Sequence, residues 1–376
     1  MPETDQDVLN WAKSSIIEHL EAKSGGEVEW SNTDLLKLCM LVSLEETASD
    51  GSLGDDVLFK STWDLSLIKH YSIRIRELFM DMCQDIEGDL YSKAQSSYDD
   101  YVAKYPTHLV SAINEVLYEQ QGYKRMASYG DVSSFQLRRV LDSGVGSPIL
   151  LAIIYMIVAE ESGLSLHALS LEEGSYVVMW PKDDTIRLGA QGEVFVIDPY
   201  AKGSLMSAQE ISEIFDVDVP FRPDSLKDMA EDTLLQLLLT HWCLAVQCPP
   251  EPLLAIPLDL DVALGEYSDV SVQVEYDDGQ KGPLLSNRGD FWTVSPETQH
   301  HMQKCLSAAE KLHILQEGTI ESTIRLALCQ YFCQEYHKAI ESLDMVLQLC
   351  GENHDPLFEL ERIEVLQNKC RLLLRT

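Results

Sequence analysis

Side chains able to attack a carbonyl, move a proton or bind a metal fall in a few places along this chain of 376 residues. Ser147 stands directly before Pro148 and the apolar run Ile149 to Ala159, in which the Tyr155 hydroxyl is the one polar side-chain group. A serine at a helix start with a histidine on the next strand, His167, supplies a hydroxyl and a base to take its proton. Asp198 in Val-Ile-Asp-Pro is an acid that could complete such a relocated serine-based site. The simpler reading makes Ser147 an N-cap and His167 a solvent-facing strand residue, since apolar Leu166 and Ala168 flank it. Cys329, Cys333 and His337 recur at i, i+4 and i+8, which would hold a soft metal on one face of an unbroken helix. Packing between two helices accounts for these cysteines more simply. His301 with Cys305 at i, i+4 has still less support as a metal pair, and His241 with Cys243 and Cys248 reads as core. Cys-x-x-Cys pairs, P-loops, G-x-G-x-x-G and H-E-x-x-H motifs are absent from the sequence, so no metal and no cofactor is expected.

The element that must position Ser147 is a helix buried on every side. Ser147 suits its N-cap, Pro148 its first turn, and Gly163 its C-cap. Its apolar run is well short of the roughly twenty residues a membrane span needs. After Gly163 the period changes: Leu164 to Leu171 alternates like a strand, and Tyr176 to Trp180 and Val194 to Ile197 are further short strands. A buried helix followed by sequential strands predicts an α+β core in which the helix packs on a small antiparallel sheet. Before it, amphipathic helices are expected over Asp7 to Lys23, from Thr33 or Asp34 through Val42, over Leu65 to about Ala103, and over His108 to Gln121, with Pro106 closing the N-terminal region. After it, Ser207 and Glu210 form a capping box, and Asp224 to Val246 reads as a strongly apolar helix. Val270 to Tyr276 with an Asp277-Asp278-Gly279 turn suggests a hairpin. Ile324 to Leu349 reads as a helical hairpin with Ala327, Tyr336, Ala339, Leu343 and Val346 at tetratricopeptide-like spacing. It is one good copy, fewer than a free-standing solenoid needs. The expected organisation is a helical region at 1–106, the core at 107–222, a helix with a possible hairpin at 223–295, and tetratricopeptide-like helices at 296–376.

Charge narrows the partners. Lysine and arginine number 28 against 62 acidic residues, a formal net charge of −34. Such a field repels phosphate backbones and anionic lipid, which disfavours direct nucleic-acid or membrane-surface binding and leaves basic protein surfaces as the expected partners. Nine scattered cysteines, an odd number, point to a reducing compartment. With an acidic N-terminus unlike a secretory signal, a soluble cytoplasmic protein is expected, or a plastid stromal one if the source is a plant or alga.

Four segments in order resemble a known family: N-E-V-L-Y-E-Q-Q-G-Y (Asn114 to Tyr123), V-L-D-S-G-V-G-S-P-I-L-L-A-I-I-Y (Val140 to Tyr155), G-S-Y-V-V (Gly174 to Val178) and V-I-D-P-Y (Val196 to Tyr200). They are similar to transglutaminase-like proteins of the SirB-one type, which also carry a C-terminal tetratricopeptide-like segment. The resemblance implies a transglutaminase-like fold flanked by helices. It also implies where chemistry would sit: a nucleophile two residues after the helix-starting proline, a histidine second in the glycine-led strand motif, and an acid in the Asp-Pro motif. Those positions hold Leu150, Ser175 and Asp198. A leucine has no nucleophile and a serine cannot stand in for imidazole as a base near neutral pH. Asp198 then reads as the head of an Asx turn into Pro199. The expectation is a non-enzyme that binds protein partners as a scaffold, adaptor or assembly factor. A hydrolase or acyl-transferase using Ser147 and His167 is the alternative.

Overall fold

Helices occupy most of the residues described in this computed structural model, which are 4–24, 29–51, 66–87, 97–127, 131–171, 174–188, 195–245, 273–275, 281–283, 296–353 and 360–375. The N-terminal helices are α1 (Asp5–Ser24), α2 (Asn32–Ser49), α3 (Ser66–Glu87) and α4 (Tyr98–Lys104). The second helix starts earlier than its apolar residues suggest. Ser31 is the N-cap and Asp34 its reciprocal partner three residues on, so the capping-box side chains precede the first buried leucine. The helix α4 ends at Lys104, just before Pro106. Pro106 occupies the first turn of α5 (Pro106–Asn114), where a missing N–H costs nothing. The helix expected through Gln121 changes winding at Glu115–Gln120, a π-helical turn closed by Gln121 N–H on the Val116 carbonyl at 3.0 Å.

Two-residue strands β1 (Lys124–Arg125) and β2 (Val145–Gly146) pair in parallel around α6 (Leu137–Ser143). Then α7 (Pro148–Glu161) begins at the Ser147 cap, and Ser162 closes it with Gly163 following at φ +96°. Strands β3 (Leu166–Leu171), β4 (Tyr176–Pro181), β5 (Phe195–Asp198) and β6 (Ser204–Ser207) form an antiparallel meander in that order. The capping box at Ser207 and Glu210 opens α8 (Ala208–Phe215), and α9 (Leu226–Ala245) follows. Strands β7 (Gln273–Glu275) and β8 (Lys281–Pro283) pair antiparallel; the Asp277-Asp278-Gly279 turn expected between them lies outside the described residues, as does Cys248. Four helices end the chain: α10 (Pro296–Leu315), α11 (Ile320–Phe332), α12 (Tyr336–Asn353) and α13 (Leu360–Leu373). The fold is mostly helical α+β, and the four-stranded antiparallel meander is the largest sheet among the described residues.

Contacts divide the chain into two units. One comprises Met1–Ile16, Glu29–Ala127 and Ser133–Thr233, and the other Ile17–Val28, Ser128–Val132 and Leu234–Thr376. In the first, α7 is the centre: α2, α3 and α5 contact it, as do β3 and β4. Every residue from Pro148 to Ala159 is buried, which is why the run has no helical period. Val177, Met179 and Ile197 are fully buried on the sheet face toward α7. The alternate residues Val178 and Val196 join Leu171 and Ile211 in a separate cluster completed by Tyr176, Trp180, Phe215 and Phe221.

In the second unit α10 to α13 pack as successive neighbours. Ala327, Ala339, Leu343 and Val346 are fully buried, while Tyr336 is half-buried. The break between α11 and α12 makes Cys333 a C-cap residue and puts His337 on the next helix, so Cys329, Cys333 and His337 do not share a helix face. Cys333 Sγ donates to the Met302 carbonyl at 3.2 Å instead. Among the described residues no cluster of three or more His, Cys, Asp or Glu is arranged to hold a metal, and no helix is long and apolar enough to cross a membrane.

Candidate functional site

Leu150 stands in the first turn of α7, Ser175 in the turn before β4 and Asp198 at the end of β5; Leu150 is packed in the core and Asp198 caps a turn. Leu150 is 1% exposed in the first turn of α7. Its backbone N–H donates to Ser147 Oγ at 3.4 Å, a long N-cap bond that commits the serine hydroxyl to the helix start. Ser147 is itself fully buried, and its own N–H donates to the Ser134 carbonyl at 2.8 Å. Ser175 lies in the turn that precedes β4.

Asp198 is 3% exposed, and its carboxylate is occupied on both sides. One oxygen accepts the backbone N–H of Tyr200 at 2.8 Å and of Ala201 at 2.9 Å, capping the 3₁₀ turn Pro199–Ala201 as an Asx turn. The other accepts the Tyr176 hydroxyl. Burial, then the hydrogen bond to Asp198, then its charge hold the Tyr176 phenol well above its ordinary pKa, so the phenol keeps its proton and continues to donate. Alternation along β5 puts Asp198 on the face of Val196, away from α7 and Leu150. The acid is therefore turned from the helix that would carry a nucleophile.

A second set of polar side chains, to which sequence reasoning assigned no role, holds this corner together. Tyr118 donates to the Pro199 carbonyl at 2.6 Å, and Tyr155 donates to Asn114 Oδ1 at 3.0 Å. Asn114 Nδ2 donates to the Gly203 carbonyl at 2.8 Å. The rings of Tyr118 and Tyr155 stack at 6.4 Å. Burial raises both phenols far above their ordinary range, leaving them neutral donors. Gly203 has φ +69°, and a Cβ there would lie 1.9 Å from Asn114 Oδ1, so the Asn114 amide fills the space a side chain would take. The signal for this clasp was present as Asn114 and Tyr118, four apart in the first resembling segment.

His167 does not join these groups. It pairs in register with Trp180, four residues along β4 from Tyr176, the residue that Asp198 engages. At about 3.4 Å per residue that is roughly 14 Å along the strand. Nor does His167 face open solvent as its flanking residues suggested. It is half-buried against the Trp180 ring, centroids 5.7 Å apart, because the segment at Phe221 packs over that end of the sheet. Burial, then the Lys182 cation, lower its pKa. His241 and His301 form a pair of their own in the second unit, with Nδ1 atoms 3.1 Å apart.

A buried helix packed on an antiparallel meander and flanked by further helices is consistent with a transglutaminase-like core. Residues 70–240 match the family model described as the transglutaminase-like superfamily. Two UPF0162 proteins of Xylella fastidiosa, from strains Temecula1 and 9a5c, are each 29% identical to this chain over 141 residues, covering 35% of this chain and 47% of theirs. The chain thus spans about half the length of the curated relatives it matches.

Proposed function

We propose that this protein is a non-catalytic transglutaminase-like protein of the SirB-one type that acts as a protein-interaction scaffold, adaptor or assembly factor. The observation carrying this reading is Leu150, sealed in the core where the nucleophile would stand. The acid Asp198 is spent on its own turn and on Tyr176, and the third position is a serine. The helix is retained for packing: an apolar side chain there completes a core that a thiol and imidazole would have had to interrupt. The helices α11 and α12 supply a tetratricopeptide-like hairpin, a scaffold that presents grooves to peptides or helices. With a net charge of −34, the partner surface is basic.

The test has two arms. The full chain is treated with a fluorophosphonate and with iodoacetamide at neutral pH, and adducts are mapped by mass spectrometry. No stoichiometric adduct is expected, whereas a specific one at Ser147, lost in Ser147→Ala, would overturn the reading in favour of a hydrolase. In the second arm the tagged chain is recovered from its native extract under gentle salt. A stoichiometric protein partner is expected, and its absence counts against the scaffold.

A further inference from the structure

At the far end of the sheet from Asp198, a cleft of about 150 Å³ opens between β4, β5 and the segment before α9. Its walls include the rings of Trp180, Phe195 and Phe221 and the side chain of Val219. Trp180 and Phe221 touch at 5.6 Å, and Val219 remains 47% exposed at the mouth. The rim carries Asp183 and Asp184 against the one guanidinium of Arg187, a net single negative charge. Asp183 is fixed in place: one of its carboxylate oxygens accepts the Thr185 N–H at 2.8 Å and its hydroxyl at 2.7 Å.

Size and lining choose the occupant. Small-molecule sites enclose about 300–1,000 Å³, so this cleft is too small for a cofactor and suits one anchoring side chain. Aromatic walls below an acidic rim fit a side chain with an apolar stem and a cationic head, which runs its methylenes along the rings and puts its charge at the mouth. Arginine meets this better than lysine, because its planar guanidinium stacks on rings and offers several donors to two neighbouring carboxylates. We infer that the Trp180–Phe195–Phe221 cleft takes an arginine side chain from a basic protein partner, with Asp183 and Asp184 receiving the guanidinium. This rests on the scaffold reading above and gives it an address.

The test uses labelled peptides identical except for the central residue, bound to the full chain in physiological salt and followed by fluorescence anisotropy. The Arg-centred peptide is expected to bind best. It should lose at least tenfold in affinity on Val219→Arg, which fills the cleft, and on Asp183→Asn with Asp184→Asn. Phe221→Ser repeats the test by removing a wall, and circular dichroism confirms that each variant is folded. Neutralising Glu361 and Glu364, exposed on α13, should change little. Three results overturn the proposal: tighter binding of an apolar-centred peptide, undiminished binding in Val219→Arg, or equal loss on neutralising Glu361 and Glu364, which would mean bulk charge alone. Failure here leaves the probe-labelling result untouched, and a Ser147 adduct with intact arginine binding would defeat only the non-catalytic reading.

Discussion

Replacing Gly203 by alanine tests whether the tyrosine–asparagine clasp organises the corner around Asp198. Two costs add. An L residue at φ +69° is in the left-handed region, worth about 1 kcal/mol against glycine. The new methyl would also sit 1.9 Å from Asn114 Oδ1, so the amide must move. Moving it breaks the Asn114 bond to the Gly203 carbonyl and the Tyr155 bond to Asn114, each about 1 kcal/mol net, and leaves a buried phenol without its acceptor. The sum is about 3–4 kcal/mol. Gly122 is the internal control: its φ is +75° and a Cβ there meets nothing within 4 Å. Gly122→Ala should therefore cost only the backbone share, about 1 kcal/mol.

Urea unfolding followed by far-ultraviolet circular dichroism measures both variants. A double-mutant cycle then isolates the clash. In an Asn114→Ala background the obstruction is gone, and Gly203→Ala should fall to about the cost of Gly122→Ala, a coupling of roughly 2–3 kcal/mol. Equal destabilisation by the two single glycine variants, or a Gly203→Ala cost unchanged by Asn114→Ala, would refute the reasoning.

Leu150→Cys should restore no chemistry. The new thiol would be buried with no imidazole beside it, so intact-mass labelling by iodoacetamide at neutral pH should match wild type, and rapid alkylation would contradict the site's geometry. Cys39 and Cys333 should be equally inert, since burial pushes both thiols up to about 12. Asp224, half-buried beside β3, has its carboxyl raised to about 6 chiefly by burial. An acid whose folded pKa lies above its unfolded value stabilises the fold below about pH 4 and loses that stabilisation as pH rises through 6. Solvent screening of this half-exposed group leaves about 1 kcal/mol of effect. Asp224→Asn should flatten the pH dependence of Tm over that window, and an unchanged profile would remove Asp224 as its source. Leu343→Ala, at a fully buried site on α12, should cost about 2–5 kcal/mol in the second unit, read by urea unfolding.

The elements legible in the sequence were those whose signal is local. Ser147-Pro148 followed by an apolar run marks a buried helix whatever surrounds it, and the Ser207–Glu210 box marks a helix start, because both rest on neighbours a few residues apart. The misreadings came where a local signal was ambiguous or distant groups decided. Pro106 follows the end of α4 and also begins α5, so the helix expected from His108 starts two residues earlier. The outward residue His167 is half-buried because Phe221, over fifty positions later, packs against its neighbour Trp180.

The corner around Asp198 shows the same division in its chemistry. That Leu150 offers no nucleophile and Ser175 no imidazole base follows from residue type alone. Why the asparagine and tyrosines around them are retained does not, because Asn114, Tyr118, Tyr155 and Gly203 are scattered over 90 positions and meet only through the fold. A transglutaminase-like enzyme needs this corner rigid so that an acid can aim a histidine. Here the same rigidity is directed inward: Asp198 caps its own turn, Tyr118 holds the turn to the π-helical segment, and Asn114 ties Gly203 to Tyr155 on the central helix. Every hydrogen bond of that set closes on the protein's own backbone or on another member. Together these bonds tie the Asp198 turn and the loop at Gly203 to α5 with its π-helical turn and to the central helix.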